Sequence, residues 1–320
     1  PLARAETFVN TNCPKCGASA RRETDTFDTF MESSWYHLRY TSPRYEEGPL
    51  DPAEVTAWLP IDQYVGGIEH AVGHLVYSRF YHRLLRDLGF LPKEVPPEPF
   101  SRLLTQGMVC KETMYTLDEK DQPVWHYPDE VVDGKSKNNG EPIQTGRIEK
   151  MSKSKRNVVD PNEIIAAYGA DSARMFTLFA SPPENDLIWK DAGVEGVHRF
   201  LSRLWRIVWE RRDAIQNAES YAGDGEDLAP PVKALRKQIH KTIAQVTEDI
   251  EKRFHFNTAL ARCMELTNTL SKTKVKKNDT KGESVQRDGI FALVGLLAPF
   301  APHFAEELWE AIGGEGTVSR

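Results

Sequence analysis

The alternation of apolar and polar residues changes character along the chain. From Val194 onward the apolar positions recur at helical spacing. Phe200, Leu201, Leu204, Ile207 and Val208 predict a helix over about 194–215, and Leu235, Ile239, Ile243, Val246 and Ile250 predict another over 231–252. A third is expected to start at an N-cap Asn257 and end near Ser271. Pro299 and Pro302 separate two more, over 289–297 and 301–312, and polar linkers fill 216–230 and 272–288. Four or five such helices predict an antiparallel bundle.

Upstream the pattern is one of short apolar runs between turns. Residues 58–67 read as a short buried strand ending in Gly66-Gly67. From Glu69 a helix is expected to about Leu88, with Val72, Leu75, Val76, Phe80, Leu84 and Leu88 burying one side. A proline-rich connection over 91–101 leads to a second buried strand at 103–109. The polar stretch 111–149, rich in turn residues, reads as an inserted flap. Asp160-Pro161 marks a helix start, with Asp160 as N-cap, Pro161 first in the helix and Glu163 as reciprocal partner. Gly169 stops that helix, and Asp171 is expected to cap the next. A strand, a diglycine turn and a helix N-terminus place ligands at the carboxyl edge of a parallel sheet. The expected fold is therefore α/β: a Rossmann-like catalytic half with a parallel sheet, then an all-α helix bundle. The boundary between them is expected within 187–196.

Composition narrows the function classes. The 320 residues are 40% hydrophobic and 28% charged, as in ordinary globular proteins, and two domains are a fair expectation. A net charge of −6 excludes a globally basic nucleic-acid binder, so any RNA contact must come from local patches. No apolar run could span a bilayer and no signal peptide opens the chain, so no membrane partner is expected. Of the four cysteines only Cys13 and Cys16 lie close together, which suggests a reducing, cytoplasmic setting. Their Cys-x-x-Cys spacing is half of a tetrahedral Zn2+ site. No second ligand pair follows, so bound Zn2+ is not expected without ligands from elsewhere. The chain opens with Pro1 rather than methionine, which suggests a fragment or processed product.

Candidate chemistry concentrates in three stretches. Lys150-Met151-Ser152-Lys153-Ser154-Lys155-Arg156-Asn157 sets four cations and two hydroxyls just before a helix N-terminus. Ammonium, hydroxyl and backbone N–H groups together suit a polyphosphate, although a solvated basic loop has the same composition. Gly66 and Gly67 would admit a nucleotide close to the backbone, and Glu69 could accept hydrogen bonds from ribose hydroxyls. His70 and His74 share a helix face, but the acid precedes the first histidine, so the pattern is not His-Glu-x-x-His. The 25–40 segment mixes small hydroxyls, aromatics and acids, as a pocket wall or an aromatic core segment does. Arg199, Arg203, Arg206, Arg211, Arg212, Arg236, Lys237 and Lys241 stud the helices, and Lys272, Lys274, Lys276 and Lys277 crowd a linker. Such runs are either a solvated face or an RNA contact.

Lys150 to Ser154 spells Lys-Met-Ser-Lys-Ser and resembles the second ATP signature of class I aminoacyl-tRNA synthetases. Nearly the whole chain resembles the bacterial leucyl members of that family. The resemblance implies activation of leucine by ATP with Mg2+, and transfer of leucine to tRNA(Leu). It implies Lys150 and Lys153 as catalytic cations, with Lys153 foremost. Gly66, Gly67, Glu69, Met151, Ser152, Lys153 and Ser154 would bind ATP; Ser33, Tyr36, Tyr64, His70 and His74 would line the amino-acid pocket. The implied segments are a knuckle and linker at 1–24, a second catalytic half at 25–190 and a tRNA-binding bundle at 191–320. The second half would carry the flap 111–149 and the signature loop 150–154. The first ATP signature, His-x-Gly-His, is absent from the sequence, as are an editing domain and a C-terminal domain. The chain alone is therefore expected to be inactive, and its implied partner is the remainder of the same polypeptide, including the first catalytic half. Isoleucine, valine or methionine enzymes, or a non-catalytic tRNA-binding or assembly module, are the alternatives; the 31–40 segment and Gly66–His70 favour leucine.

Overall fold

The turn signal at Cys13–Gly17 folds as a hairpin tip. The computed structural model describes residues 1–276 and 278–319, which excludes Lys277, and divides into units Pro1–Thr105 and Gln106–Arg320. In the first unit α1 (Glu6–Val9) leads into β1 (Asn10–Asn12), which pairs antiparallel with β2 (Ser19–Arg21). The segment 1–24 is thus a small hairpin rather than irregular chain. Helices α2 (Phe30–Ser33), α3 (Tyr36–Thr41) and α4 (Pro52–Trp58) follow. The Asp51 carboxylate accepts from Ala53 N at 2.9 Å and Pro52 occupies the first helical turn, so α4 starts where this chemistry dictates. Leu38, Leu50, Val55, Leu59, Leu91 and Val95 form the core of this unit.

The strand expected over 58–67 is shorter, because Trp58 closes α4. It survives as β3 (Tyr64–Gly67), which pairs with β4 (Leu103–Gln106). The helix expected from Glu69 begins as a 3₁₀ turn, Ile68–His70, and becomes α5 (His74–Asp87) only at His74. Its apolar stripe does not bury one side of the unit. Val72, Val76, Phe80 and Leu88 are 85%, 51%, 65% and 63% exposed, while Leu75, Ser78 and His82 face inward. His82 Nε2 is 2.9 Å from Pro96 O, and this bond anchors the inward face. His37 is buried beside it, with ring centroids 6.3 Å apart. Burial, and then the nearby His82 and His74, bring the His37 pKa from 6.5 down to about 4.

In the second unit β5 (Val109–Leu117) is the centre of a mixed sheet. It pairs antiparallel with β6 (Pro123–Trp125) and β9 (Gln144–Lys150), and parallel with β10 (Leu187–Ile188). Between them β7 (Val131–Val132) and β8 (Lys135–Ser136) make a small hairpin. The stretch 111–149 is therefore a β-ladder that delivers Lys150 at its end, not a loose flap. The strand expected at 103–109 is divided between β4 and β5. At Gly107, on that break, a Cβ would collide with the Asn185 backbone. Helices α6 (Pro161–Tyr168) and α7 (Ala170–Phe179) join at Gly169, whose φ of +84° suits glycine. Asp160 caps α6 as expected, accepting from Asn162 N at 2.8 Å. Asp171 does not cap its own helix, which starts from Gly169. Its carboxylate instead accepts from Phe304 N at 2.6 Å and meets His303 Nδ1 at 3.0 Å.

The helix expected over 194–215 is broken into α8 (Asp191–Trp209) and α9 (Arg212–Asn217). Then come α10 (Pro230–Glu251), α11 (Phe256–Lys272), α12 (Thr280–Leu297) and α13 (Pro302–Ala311). Asn257 lies inside the first turn of α11, with His255 at the cap. Helix α12 starts well before residue 289, because Asp279 caps it through Gly282 N at 2.9 Å. One continuous core runs from Met175 and Phe176 through Leu204, Leu235, Leu266 and Leu293 to Leu308. The core thus takes in α7 and β10 as well as the bundle, so packing divides the chain at 105/106, away from the expected 187–196.

Two predictions follow from buried charge. Asp249 is 1% exposed and its Oδ2 accepts from Arg262 Nε at 2.6 Å. Removing one partner of a buried pair strands the other charge, so Arg262→Met should destabilise the second unit by about 3 kcal/mol. Denaturant unfolding checks this; Arg253 Nη1 lies 3.8 Å from the other Asp249 oxygen, and a loss under ~1 kcal/mol would show that it compensates. His37 sets the second. A folded pKa below 6.5 means the unfolded state binds the proton first, so stability falls as pH drops from 6.5 towards about 4. The loss should be on the order of 3 kcal/mol for the first unit and vanish in His37→Phe. Parallel pH profiles for both proteins would refute it.

Candidate active site

Two sites emerge, one in each unit. In the first, the β3 strand, the 3₁₀ turn and the start of α5 enclose a cavity of about 370 Å³. Ser33, Tyr36, Tyr64, His70 and His74 all line it, as do Gly66 and Gly67. Tyr64 sits at the hub: its hydroxyl is 2.6 Å from the Tyr36 hydroxyl and 2.7 Å from His74 Nε2. Its ring stacks on Phe100 with centroids 4.0 Å apart. Burial and the bond to Tyr36 push the Tyr64 phenol up, so it stays protonated and donates. Burial, and then His70, push the His74 pKa down. His74 is therefore a neutral ring in a chain of three polar groups. Val65, Leu75, Leu103 and Leu104 complete an apolar wall. The whole suits a small ligand with one apolar branch and a few polar anchors. Glu69 lies beside the cavity, with its carboxylate over Gly67; a Cβ at Gly67 would collide with it.

The second site is the lysine loop. Met151 N donates to Val109 O at 2.9 Å, so the loop leaves β9 still tied to β5. Ser152 caps the short 3₁₀ turn Lys153–Lys155 by accepting from Lys155 N. Arg156 takes φ +52°, and Asn157 then turns inward and is only 1% exposed. Asn157 Oδ1 accepts from Ser152 N at 2.9 Å, while Nδ2 donates to Lys111 O at 3.1 Å and Glu149 O at 3.2 Å. Lys155 pairs with Glu149 and lies 5.7 Å from the Trp125 ring centre. Arg156 covers Tyr127 at 5.1 Å and reaches Glu130 at 3.6 Å. Those two cations are engaged by residues of the preceding 111–149 stretch. Lys150, Lys153 and Ser154 are exposed, and Lys153 forms no ion pair among the described residues.

The cysteine knuckle forms as a turn: Cys13 N donates to Ala18 O and Gly17 N to Cys13 O, both at 2.8 Å. Backbone N–H groups of Cys16 and then Lys15 lower the Cys13 thiol pKa. Among the described residues no group of three or more metal-ligating side chains gathers, at Cys13 and Cys16 or elsewhere. Nor is any described helix long and apolar enough to cross a membrane.

Asn157 is the loop position that sequence reasoning left without a role, since only the folded loop turns its amide onto four backbone groups, those above and Lys150 O at 3.4 Å. Phe30, Leu103 and Thr105 also line the cavity unforeseen. For Leu103 the signal was limited to a buried-strand pattern, which says nothing about which face meets a ligand.

Residues 143–190 match the family of class I tRNA synthetases for I, L, M and V, and residues 232–320 match the anticodon-binding domain of tRNA ligase. The leucine–tRNA ligase of Syntrophus aciditrophicus is 50% identical over 319 residues, 99% of this chain and 36% of the relative. That of Desulfatibacillum aliphaticivorans is 48% identical over 318 residues, again 36% of its length. The crystal structure of an Agrobacterium radiobacter LeuRS–tRNA–LeuAMS ternary complex superposes with a TM-score of 0.77 at 35% identity, covering 100% of this chain and 36% of that one. The chain thus spans about a third of the length of the curated relatives it matches. With such identity to leucine enzymes along nearly every residue, the chain belongs to the class I aminoacyl-tRNA synthetases, on their leucine–tRNA ligase branch.

Proposed function

We propose that the chain supplies the amino-acid pocket, the second ATP loop and the helix bundle of a leucine–tRNA ligase. In the complete enzyme the leucine carboxylate attacks the α-phosphorus of ATP, forming leucyl-adenylate and releasing pyrophosphate. A hydroxyl at the 3′ end of tRNA(Leu) then attacks the acyl carbon of the adenylate and displaces AMP. The observation that carries this reading is the convergence of Ser33, Tyr36, Tyr64, His70 and His74 on one cavity, in a chain half identical to leucine–tRNA ligases.

The chemistry needs no covalent nucleophile from the protein; it needs positioning and charge stabilisation. The isobutyl group would lie against Leu75, Leu103 and Leu104. A neutral His74 costs less to bury beside an aliphatic chain than a charged one, and Tyr64 holds its ring in place. Glu69 would accept from the ribose hydroxyls. Exposed Lys153, with Lys150, would neutralise the departing pyrophosphate, while Asn157 keeps the loop from having to order itself at that moment. ATP enters as its magnesium complex, so Mg2+ arrives with the substrate. The bundle would approach tRNA(Leu). The remainder of the polypeptide, bringing the first ATP signature, would cover the exposed apolar stripe of α5. A cytoplasmic location fits the free cysteines.

Two mutational tests follow. In the complete enzyme Lys153→Ala should cut leucine-dependent ATP–pyrophosphate exchange about 100- to 1,000-fold and leave tRNA affinity nearly intact. A loss below about threefold would remove Lys153 from the role assigned to it. His74→Ala and Tyr36→Ala should raise KM for leucine more than for ATP, and Glu69→Ala the reverse. Equal effects on both substrates in all three variants would dissolve this division of labour.

A further inference from the structure

The cavity wall that carries the tyrosine hydroxyls has a second layer behind it. Tyr64 rests on Phe100, with planes 17° apart, and Phe100 in turn touches His37 with ring centroids 5.5 Å apart. The His37 ring also meets Tyr36 edge-on at 5.8 Å. One buried imidazole therefore contacts Tyr36 directly and Tyr64 through Phe100, and the two hydroxyls so supported lie 2.6 Å apart. The backbone leaves Phe100 little freedom to slide. Ile61 N donates to Pro99 O at 2.9 Å, Ser101 N to Ile61 O at 2.8 Å and Tyr64 N to Arg102 O at 2.9 Å. On the other side His82, held by Pro96 O, stacks against His37 with planes 20° apart.

His37 does not line that cavity. It lines another, of about 390 Å³, together with Tyr40, Trp58 and Asp62, whereas Tyr36 and Tyr64 line only the first of the two. The imidazole thus stands between open space and the hydroxyl wall. Neither of its nitrogens has a hydrogen-bond partner among the described residues, and with its pKa brought down to about 4 it is uncharged near neutral pH. What it brings to the contact is a flat, neutral ring held by packing. Without that ring Tyr36 could recede into the space behind, and a hydrogen bond weakens steeply once its geometry is lost. We propose that His37 is a positioning residue for the amino-acid cavity: its ring keeps Tyr36 and Phe100 forward, and so fixes the Tyr36–Tyr64–His74 chain at the spacing that favours a short branched side chain over a longer straight one. The proposal rests on the ligase reading only for which amino acid the cavity takes.

The test is ATP–pyrophosphate exchange by the complete enzyme, normalised to active sites. His37→Ala should raise KM for leucine about tenfold and leave KM for ATP within about twofold. Norleucine, the straight-chain isomer, should gain about tenfold on leucine in kcat/KM, since a pocket that yields by a methylene loses discrimination of that order. His37→Phe restores a flat ring and should return both quantities to within about twofold of the parent. A merely structural role would lower the amount of active enzyme without splitting the two KM values. Because a buried truncation can prevent folding, His37→Leu is the second variant; it keeps most of the volume without the flat ring, and should raise KM for leucine about threefold. A fluorotyrosine at position 64 reads the wall without substrate: its fluorine resonance should move in His37→Ala or His37→Leu and stay in place in His37→Phe. An unmoved resonance in the first two would overturn the proposal, as would an unchanged KM for leucine, or equal rises in His37→Leu and His37→Phe. Absence of leucine-dependent exchange in the parent enzyme would sink the ligase assignment instead, and leave the fluorine resonance to decide the positioning.

Discussion

A single buried amide sets the geometry of the lysine loop. Asn157 bonds Ser152 N on the loop, Lys111 O on β5 and Glu149 O on β9, so one side chain ties the loop to both strands. A loop so rich in like charge would repel itself and sample many conformations if it depended on its own residues. Burying the amide makes those three bonds obligatory, because an unsatisfied amide inside the protein costs more than a made one returns. The surrounding ladder serves the same end. Residues 111–149 form strands along β5, so Lys150 emerges from a rigid edge rather than from a flap.

The cations then separate by task. Lys155 and Arg156 are spent on Glu149, Trp125, Tyr127 and Glu130, where they brace the loop. Lys153 remains directed at solvent. Composition treats the four cations as equivalent, and only packing distinguishes a structural charge from one available to a ligand. The pocket follows the same logic. Tyr64 is held by stacking on Phe100, and through its hydroxyl it orients both Tyr36 and His74. The apolar wall supplies area and the hydroxyl–imidazole chain supplies direction.

The second unit owes its integrity to a core that ignores the segment boundary suggested by composition. Met175, Phe176 and Leu187 pack with the bundle helices, and Asp171 clasps the first turn of α13 from the start of α7. Helices close in space but distant in sequence are thus joined by a cap donated from outside. That arrangement explains why local rules misplaced this cap: they assign an acid near a helix start to its own helix.

Much was determined by the sequence itself. The long bundle helices were legible, though not the break between α8 and α9 or the early start of α12, because an apolar residue every three or four positions can bury only one face of a helix. Asp160-Pro161 and Gly169 marked real ends, because capping and a positive φ are local chemistry. The order Lys-Met-Ser-Lys-Ser, with Gly66-Gly67 and Glu69–His74, carried the family resemblance, and through it the choice of residues that the fold gathers around one cavity. Tertiary structure decided the rest. The stripe on α5 has the helical period of a buried face yet stands exposed, because periodicity says that a face is apolar and not what covers it. Residues 111–149 are polar and still form strands, since a ladder is stabilised by partners remote in sequence. Asn157 gains its role only where the chain folds back on β5 and β9, and no local pattern encodes a contact made across forty-six residues.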